Sequence, residues 1–139
     1  MAPYPDKSRI RSIFSALETG QFGAMFEHVA DDVDWTVMGH HPLAGRYTSK
    51  QSFQEGTLSR LGKVMKEDDP IKLTVRNVIG GDDEEWAVVE LIAKGTAKNG
   101  LPFDNTYAWV TRWNTDERIV QVRAYLDSEL VKEAIEQNE

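Results

Sequence analysis

The sequence predicts an α+β protein, with helices first and an antiparallel sheet after. Two observations carry this. Apolar residues in the first third of the chain recur at helical spacing. Beyond Pro70 the chain changes to strand-like runs broken by Gly80-Gly81-Asp82-Asp83, by Asn99-Gly100 and by a polar turn over residues 114–117. The predicted order is α-α-β-α-β-β-β-β-α, so the helices must cover one face of the sheet.

Taking the elements in order, Ile10, Ile13, Phe14 and Leu17 fall at i, i+3, i+4 and i+7, one stripe of a helix. Ser8 is its expected N-cap and Gly20 its stop. A second short helix gathers Phe22, Met25, Phe26 and Val29 on one side and ends at Asp31-Asp32. Residues 33–38 alternate with the period of a strand. Residues 39–46, with Pro42 and Gly45, read as a loop. Thr48 and Gln51 have capping-box spacing and open a third helix bearing Phe53, Leu58, Leu61, Val64 and Met65. Gly56 and Gly62 weaken that helix, and Pro70 stops it. Strands are expected over residues 71–79, 86–97, 103–113 and 119–127. Ser128 then caps a last helix carrying Leu130, Val131, Ala134 and Ile135.

The 139 residues fit one domain over 1–139, with residues 1–7, which include Pro3 and Pro5, as a loose tail. The absence of cysteine removes thiol nucleophiles, disulfides and thiolate metal sites. A net charge of −7 argues against a nucleic-acid partner, which calls for a basic face. The N-terminal segment has no apolar leader, and no run approaches the ~18 apolar residues of a spanning helix. A cytoplasmic protein with no membrane partner is the expectation.

The Asn99-Gly100 pair is a strong hairpin signal. As a two-residue loop it sets Ile92 opposite Tyr107, Glu90 opposite Trp109 and Trp86 opposite Trp113. Pairing Trp113 with Ile119 in the next turn sets Trp109 opposite Arg123, Tyr107 opposite Tyr125 and Asn105 opposite Asp127. One sheet face then gathers Glu90, Ile92, Asn105, Tyr107, Trp109, Arg123, Tyr125 and Asp127. The other gathers Val89, Leu91, Ala93, Ala108, Val110, Val122, Ala124 and Leu126. The first face mixes aromatic walls with a few polar groups, as small-molecule pockets do. It also takes Trp86, Trp109 and Trp113 together. A one-residue slip would exchange the faces.

The segments "HVADDVDWTVMGHHPLAGRYTSKQSF" and "NTYAWVTRWNTDERIVQVRAYLDSELV" resemble SnoaL-like proteins of the nuclear transport factor 2-like superfamily, with the likeness running over residues 8–135. That superfamily includes polyketide cyclases, ketosteroid isomerases, limonene epoxide hydrolases and scytalone dehydratases. The resemblance implies a cone: a curved antiparallel sheet wrapped around a long helix, with a cavity at its open end. It also implies a homodimer joined through the outer sheet face. In the polyketide cyclases an aspartate closes the last strand, and Asp127 holds that place, with Tyr125 two positions earlier. The ketosteroid isomerase residues do not carry over. The base position falls on Val37 and the oxyanion-hole tyrosine on Ile13, so that mechanism is not expected. The epoxide hydrolases use an Asp-Arg-Asp set, whose matching motif is absent here.

The resemblance therefore implies a hydrophobic, oxygen-bearing ligand and acid/base chemistry without a cofactor: aldol-type cyclisation, isomerisation or dehydration. Asp127 would transfer the proton, with Tyr125 and Arg123 orienting the substrate. The competing reading makes Asp127 the cap of the last helix. Trp35, Tyr107 and Trp109 would form the walls, or simply the core, with Asn105 on the same face. Glu90 would contact substrate or form an ion pair with Arg123. His40, beside His41, lies where the cone's mouth is expected and would touch substrate. Adjacent histidines point apart, and no metal-ligand spacing accompanies them, so no metal site is expected. A non-catalytic binding or sensing protein using the same pocket, and an association module with a filled cone, are the rival readings.

Overall fold

The computed structural model describes residues 2–139. Helix α1 (Lys7–Phe14) runs into a 3₁₀ turn (Ser15–Thr19), followed by α2 (Phe22–Phe26). Strands β1 (Val29–Val37) and β2 (Gly45–Tyr47) come next, then α3 (Lys50–Gly56) and α4 (Leu58–Lys63). Four strands follow, β3 (Lys72–Gly80), β4 (Trp86–Lys94), β5 (Asn105–Trp113) and β6 (Ile119–Tyr125), before α5 (Ser128–Asn138). The expected α+β order is present, with β2 added at the end of the segment read as a loop.

Helix α1 is capped by Asp6, whose carboxylate accepts from the Arg9 N–H at 2.8 Å, rather than by Ser8. A carboxylate there also complements the helix dipole. Gly20 ends the 3₁₀ turn at φ +77°, as its left-handed conformation requires. The third helix opens one residue later than expected, on Ser49, which accepts from the Ser52 N–H at 3.0 Å. It also breaks in two. Thr57 leaves helical geometry at φ −126°, ψ −79° and turns its hydroxyl onto the Phe53 carbonyl at 2.6 Å. Gly56 leaves space for the Tyr47 ring, which a Cβ would meet at 2.6 Å.

The six strands form one sheet in the order β2-β1-β6-β5-β4-β3. Neighbours are antiparallel except β1 and β6, which run parallel with Trp35 beside Val122 and Val37 beside Ala124. That parallel contact joins the first strand to the last, a long-range pairing that local sequence does not announce. All the helices lend apolar residues to a single core: Ile10, Phe14, Met25, Phe53, Leu61, Val131 and Ile135 are buried with the sheet's inner face. Several short helices thus take the place of the single long one that the resemblance implied.

Both strand registers near the site differ by one residue from the expectation. In the β4–β5 hairpin the close is a three-residue loop, Lys98-Asn99-Gly100. The Ala97 N–H donates to the Leu101 carbonyl at 2.9 Å, and Gly100 takes φ +92°. Asn-Gly serves equally as the end of such a loop. Val89 therefore pairs with Trp109 and Leu91 with Tyr107. Between β5 and β6, Trp113 does pair with Ile119, but a bulge follows, so Trp109 meets Ala124 and Val110 meets Arg123. Each change flips one flanking strand relative to β5.

The inner face is thus Ala87, Val89, Leu91, Ala93, Asn105, Tyr107, Trp109, Thr111, Trp113, Val122 and Ala124, all buried. Trp86, Glu90, Ile92, Arg123 and Tyr125 lie on the outer face. The three tryptophans are split, Trp109 and Trp113 inside and Trp86 outside. A further bulge sits in β3, where Val75 pairs with Leu91 and Asn77 with Glu90, leaving Arg76 unpaired.

The segment expected to be a loose tail is docked from Tyr4 onward. The Tyr4 N–H donates to the Asp82 carbonyl at 3.1 Å, and the Asp82 N–H returns to the Pro5 carbonyl at 3.0 Å. Pro5 is buried against the β3–β4 turn, where Gly81, at φ +84°, leaves room for its carbonyl.

Candidate functional site

The inner sheet face is covered unevenly. Near the C-terminal end of β1 an apolar cavity of about 50 Å³ remains, bounded by β1, α3, α4, β5 and the β6–α5 junction. That volume admits a few waters, since each needs roughly 10–15 Å³ on this measure. A larger ligand enters only as lining side chains move.

Its wall is an aromatic cluster. Trp35 stacks on Phe53 with ring centroids 3.8 Å apart and meets Trp109 edge-on at 5.1 Å. Trp109 in turn packs edge-on against Phe14 of α1 and against Tyr107. Parallel pairing of β1 with β6 and the observed register of β5 bring Trp35, Tyr107 and Trp109 to one place. Trp35 is fully buried, yet its indole Nε1–H has no hydrogen-bond partner among the described residues. An unmet buried donor ordinarily costs ~1–3 kcal/mol.

Two titratable side chains line the cavity, Tyr107 and His41. Burial pushes the Tyr107 phenol far up, with the Asn105 side chain pulling weakly the other way. The phenol therefore keeps its proton. His41 sits half-buried in the loop after β1. Its Nδ1 accepts from the Leu43 N–H at 3.2 Å, and its Nε2 lies 2.9 Å from the Met38 carbonyl. This pairing assigns the tautomer: the proton is on Nε2 and Nδ1 is bare. Burial lowers its pKa and the Met38 carbonyl partly offsets this, so the ring is held neutral.

Of the residues expected at the site, Trp35, Tyr107 and Trp109 line the cavity. Asn105 is fully buried beside Tyr107 and hydrogen-bonds the backbone of Asp127. Asp127 itself is exposed and caps α5, accepting from the Leu130 N–H at 3.2 Å. It takes the capping place expected of Ser128, which becomes the first helical residue. Tyr125 is 46% exposed on the outer face. Arg123 is there too, its guanidinium 4.6 Å over the Trp86 ring. Glu90 shares that face, and β5 separates its strand from that of Arg123. No Glu90–Arg123 ion pair forms among the described residues. His40 is exposed, and its neighbour His41 is the one turned to the cavity. Glu90 and Asp127 thus leave the cavity because of two one-residue changes in register.

Thr57 and Leu61 also reach the cavity, from the broken helix. The apolar spacing of Leu58 and Leu61 signals burial but not a cavity, and nothing in His40-His41 distinguishes the two rings.

Residues 10–122 match the SnoaL-like domain family. The chain belongs to the SnoaL-like family. Among curated proteins, this SnoaL-like chain is 35% identical over 136 residues to the dimerizing cyclase phiC of a fungal species, covering 98% of this chain and 59% of that protein. It is 32% identical over 116 residues to the dimerizing cyclase tstC of Talaromyces stipitatus, covering 84% of this chain and 51% of the relative. The SnoaL-like chain thus spans only between half and three-fifths of the length of these relatives. A crystal structure of a nuclear transport factor 2-like protein from Burkholderia thailandensis superposes with a TM-score of 0.75 at 23% identity, covering 97% of this chain and 98% of that one. That likeness concerns the fold.

Proposed function

We propose that this SnoaL-like protein binds an apolar, oxygen-bearing small molecule in the inner-face cavity and carries out cofactor-independent proton transfer of the cyclase type. The observation that carries this reading is the cavity itself: an apolar, aromatic-walled space whose two titratable groups, Tyr107 and His41, are both held neutral. A neutral phenol in such a space donates a hydrogen bond to oxygen as charge develops on it. A neutral imidazole is a base near physiological pH.

In the proposed step, His41 Nδ1 takes a proton from the carbon next to a carbonyl, exchanging its Leu43 hydrogen bond for that proton. The electron pair moves to the carbonyl oxygen, where Tyr107 donates to it. The resulting enolate carbon attacks a second carbonyl, the new C–C bond forms, and the proton returns to the alkoxide. Nothing is oxidised or reduced. The names of both curated relatives, dimerizing cyclases, agree with bond formation between two molecules and ring closure. Asp127 has no place in this step, because its carboxylate serves the helix.

The test is exchange of α-protons for deuterium in heavy water, followed by NMR over a panel of apolar ketones. Wild type accelerates exchange, and Tyr107→Phe lowers the rate about 10²–10³-fold while retaining its circular dichroism. Binding without exchange supports a second reading, a non-catalytic binding protein. The two hydrogen bonds that already occupy His41 favour it.

A homodimer through the outer sheet face is part of the proposal. Ile79 and Tyr125 are the large apolar side chains left most exposed, at 50% and 46%, and both project from that face. Sedimentation of wild type as a dimer, and of Ile79→Lys as a monomer, is the expected result. No helix among the described residues is long and apolar enough to cross a membrane.

A further inference from the structure

The polar groups around the cavity are unbalanced between donors and acceptors. Three acceptors around it are engaged within the protein. His41 Nδ1 receives the Leu43 N–H, and the Met38 carbonyl receives His41 Nε2. The Phe53 carbonyl receives the Thr57 hydroxyl at 2.6 Å. Two donors are left over. The Trp35 indole N–H is fully buried and unpartnered. The Tyr107 phenol is held protonated by burial, so it has its own proton to offer.

A ligand that brings a donor of its own, an alcohol or an amine, would find these three acceptors engaged and would leave its donor unmet against the apolar wall. An anion would find no arginine or lysine among the lining residues and would lose its hydration without compensation. An oxygen that only accepts is the group an unmet donor calls for.

Resting on the cavity reading above, we propose that Trp35 Nε1 is the hydrogen-bond donor that selects the ligand, and that the ligand is an uncharged apolar carbonyl compound. The role belongs to Trp35 because its position is fixed. The ring is clamped by Phe53 on its face and by Trp109 at right angles, so the N–H is presented in one direction. A flat, partly unsaturated ketone lies against such a wall at little cost in its own freedom. Discrimination then comes from the asymmetry of hydrogen bonding. A site built to hydrogen-bond one atom rejects the isostere that lacks it, because the donor is left unmet again.

The test compares cyclohexanone with methylenecyclohexane, which replaces the carbonyl oxygen by CH₂ at nearly the same shape. The protein carries four tryptophans, so an ¹H–¹⁵N spectrum holds four indole signals, and that of Trp35 is identified by its loss in Trp35→Phe. The expected result is a shift of the Trp35 signal with cyclohexanone, and binding of the ketone about five- to tenfold tighter than the alkene. In Trp35→Phe that preference collapses. Equal binding of both probes with the Trp35 signal unmoved overturns the donor assignment and leaves the cavity reading standing. An N–H turned onto the Trp109 ring, or capped by one ordered water, gives that outcome. Binding of neither probe overturns both. If Trp35→Phe does not fold, the two wild-type titrations decide, with the Trp35 signal identified through its contacts to the Phe53 ring.

Discussion

Asn105 and Asp127 clasp one another across the end of the sheet. The Asp127 N–H donates to Asn105 Oδ1 at 3.0 Å, and Asn105 Nδ2 reaches back to the Asp127 carbonyl at 3.5 Å. Asn105 is fully buried, so this clasp satisfies a side chain that would otherwise be costly where it sits. It also sets the residue from which α5 starts, and it holds the amide beside the Tyr107 phenol.

The clasp separates the two readings of Asp127. Asp127→Asn keeps a good N-cap, so both stability and any turnover are expected to remain near wild type. Asp127→Ala is expected to cost about 1 kcal/mol, and Asn105→Ala about 1–3 kcal/mol for the backbone groups it leaves unmet. Urea unfolding curves check all three. A folded Asp127→Asn protein that has lost turnover would return Asp127 to the chemistry.

A second buried chain runs from Trp113 to Thr111 to the backbone of β4. The Trp113 indole N–H donates to Thr111 Oγ1 at 2.8 Å, and the Thr111 hydroxyl donates to the Ala87 carbonyl at 2.7 Å. Thr111→Val keeps the shape and orphans the indole, so a loss of about 1–3 kcal/mol is expected. Adding Trp113→Phe removes the orphaned donor. The double variant should therefore lose less than the sum of the single losses, which a thermodynamic cycle measures.

His41 links the site to pH. Its folded-state pKa lies below the ordinary 6.5, because burial disfavours the charged ring. Protons therefore bind the unfolded chain before the folded one as pH falls. This contribution to stability is fully present above 6.5, diminishes as pH drops through that value, and levels off below the folded pKa. Measured by urea midpoints, wild type should lose more stability than His41→Gln between pH 7.5 and 5.5. Parallel curves for the two proteins would place the imidazole in water rather than in its two hydrogen bonds.

Gly80 offers a local test of the β3–β4 turn. It holds φ +91°, and a Cβ there would lie 2.6 Å from the Trp86 carbonyl oxygen. Backbone rather than a flexible side chain is in the way, so Gly80→Ala is expected to destabilise by more than about 1 kcal/mol. Gly62, with nothing within 4 Å of an added Cβ and no positive φ, is the control. Gly62→Ala lies within α4 and should be neutral or stabilising by up to ~1 kcal/mol.

The fold class was legible in the sequence because it rests on local periodicity. Ile10, Ile13 and Phe14 are buried on one helical stripe, and Trp109 and Trp113 alternate inward as their strand pattern demands. The faces of β4 and β6 were not legible. Asn99-Gly100 fits a two-residue and a three-residue loop alike, and the bulge after Ile119 leaves no compositional mark. Each adds one residue, and one residue moves Glu90, Arg123 and Tyr125 from the cavity side to the outside. Asp127 lies two residues past the end of β6, and capping a helix and transferring a proton call for the same residue type at that place. His41 could not be told from His40, since only the turn of the loop decides which ring goes inward.

Arg76 shows the converse of those register changes. It is the extra residue of the β3 bulge, with Val75 and Asn77 already matched to adjacent partners on β4. Deleting it would leave every flanking pair on its present face and remove only the local twist that a bulge adds. Deleting Glu90 would instead exchange inside for outside along half a strand. Chain length in this hairpin is therefore negotiable at Arg76 and fixed in β4. A lineage could gain or lose that one residue, flattening or bending the sheet over the cavity, without rewriting its core.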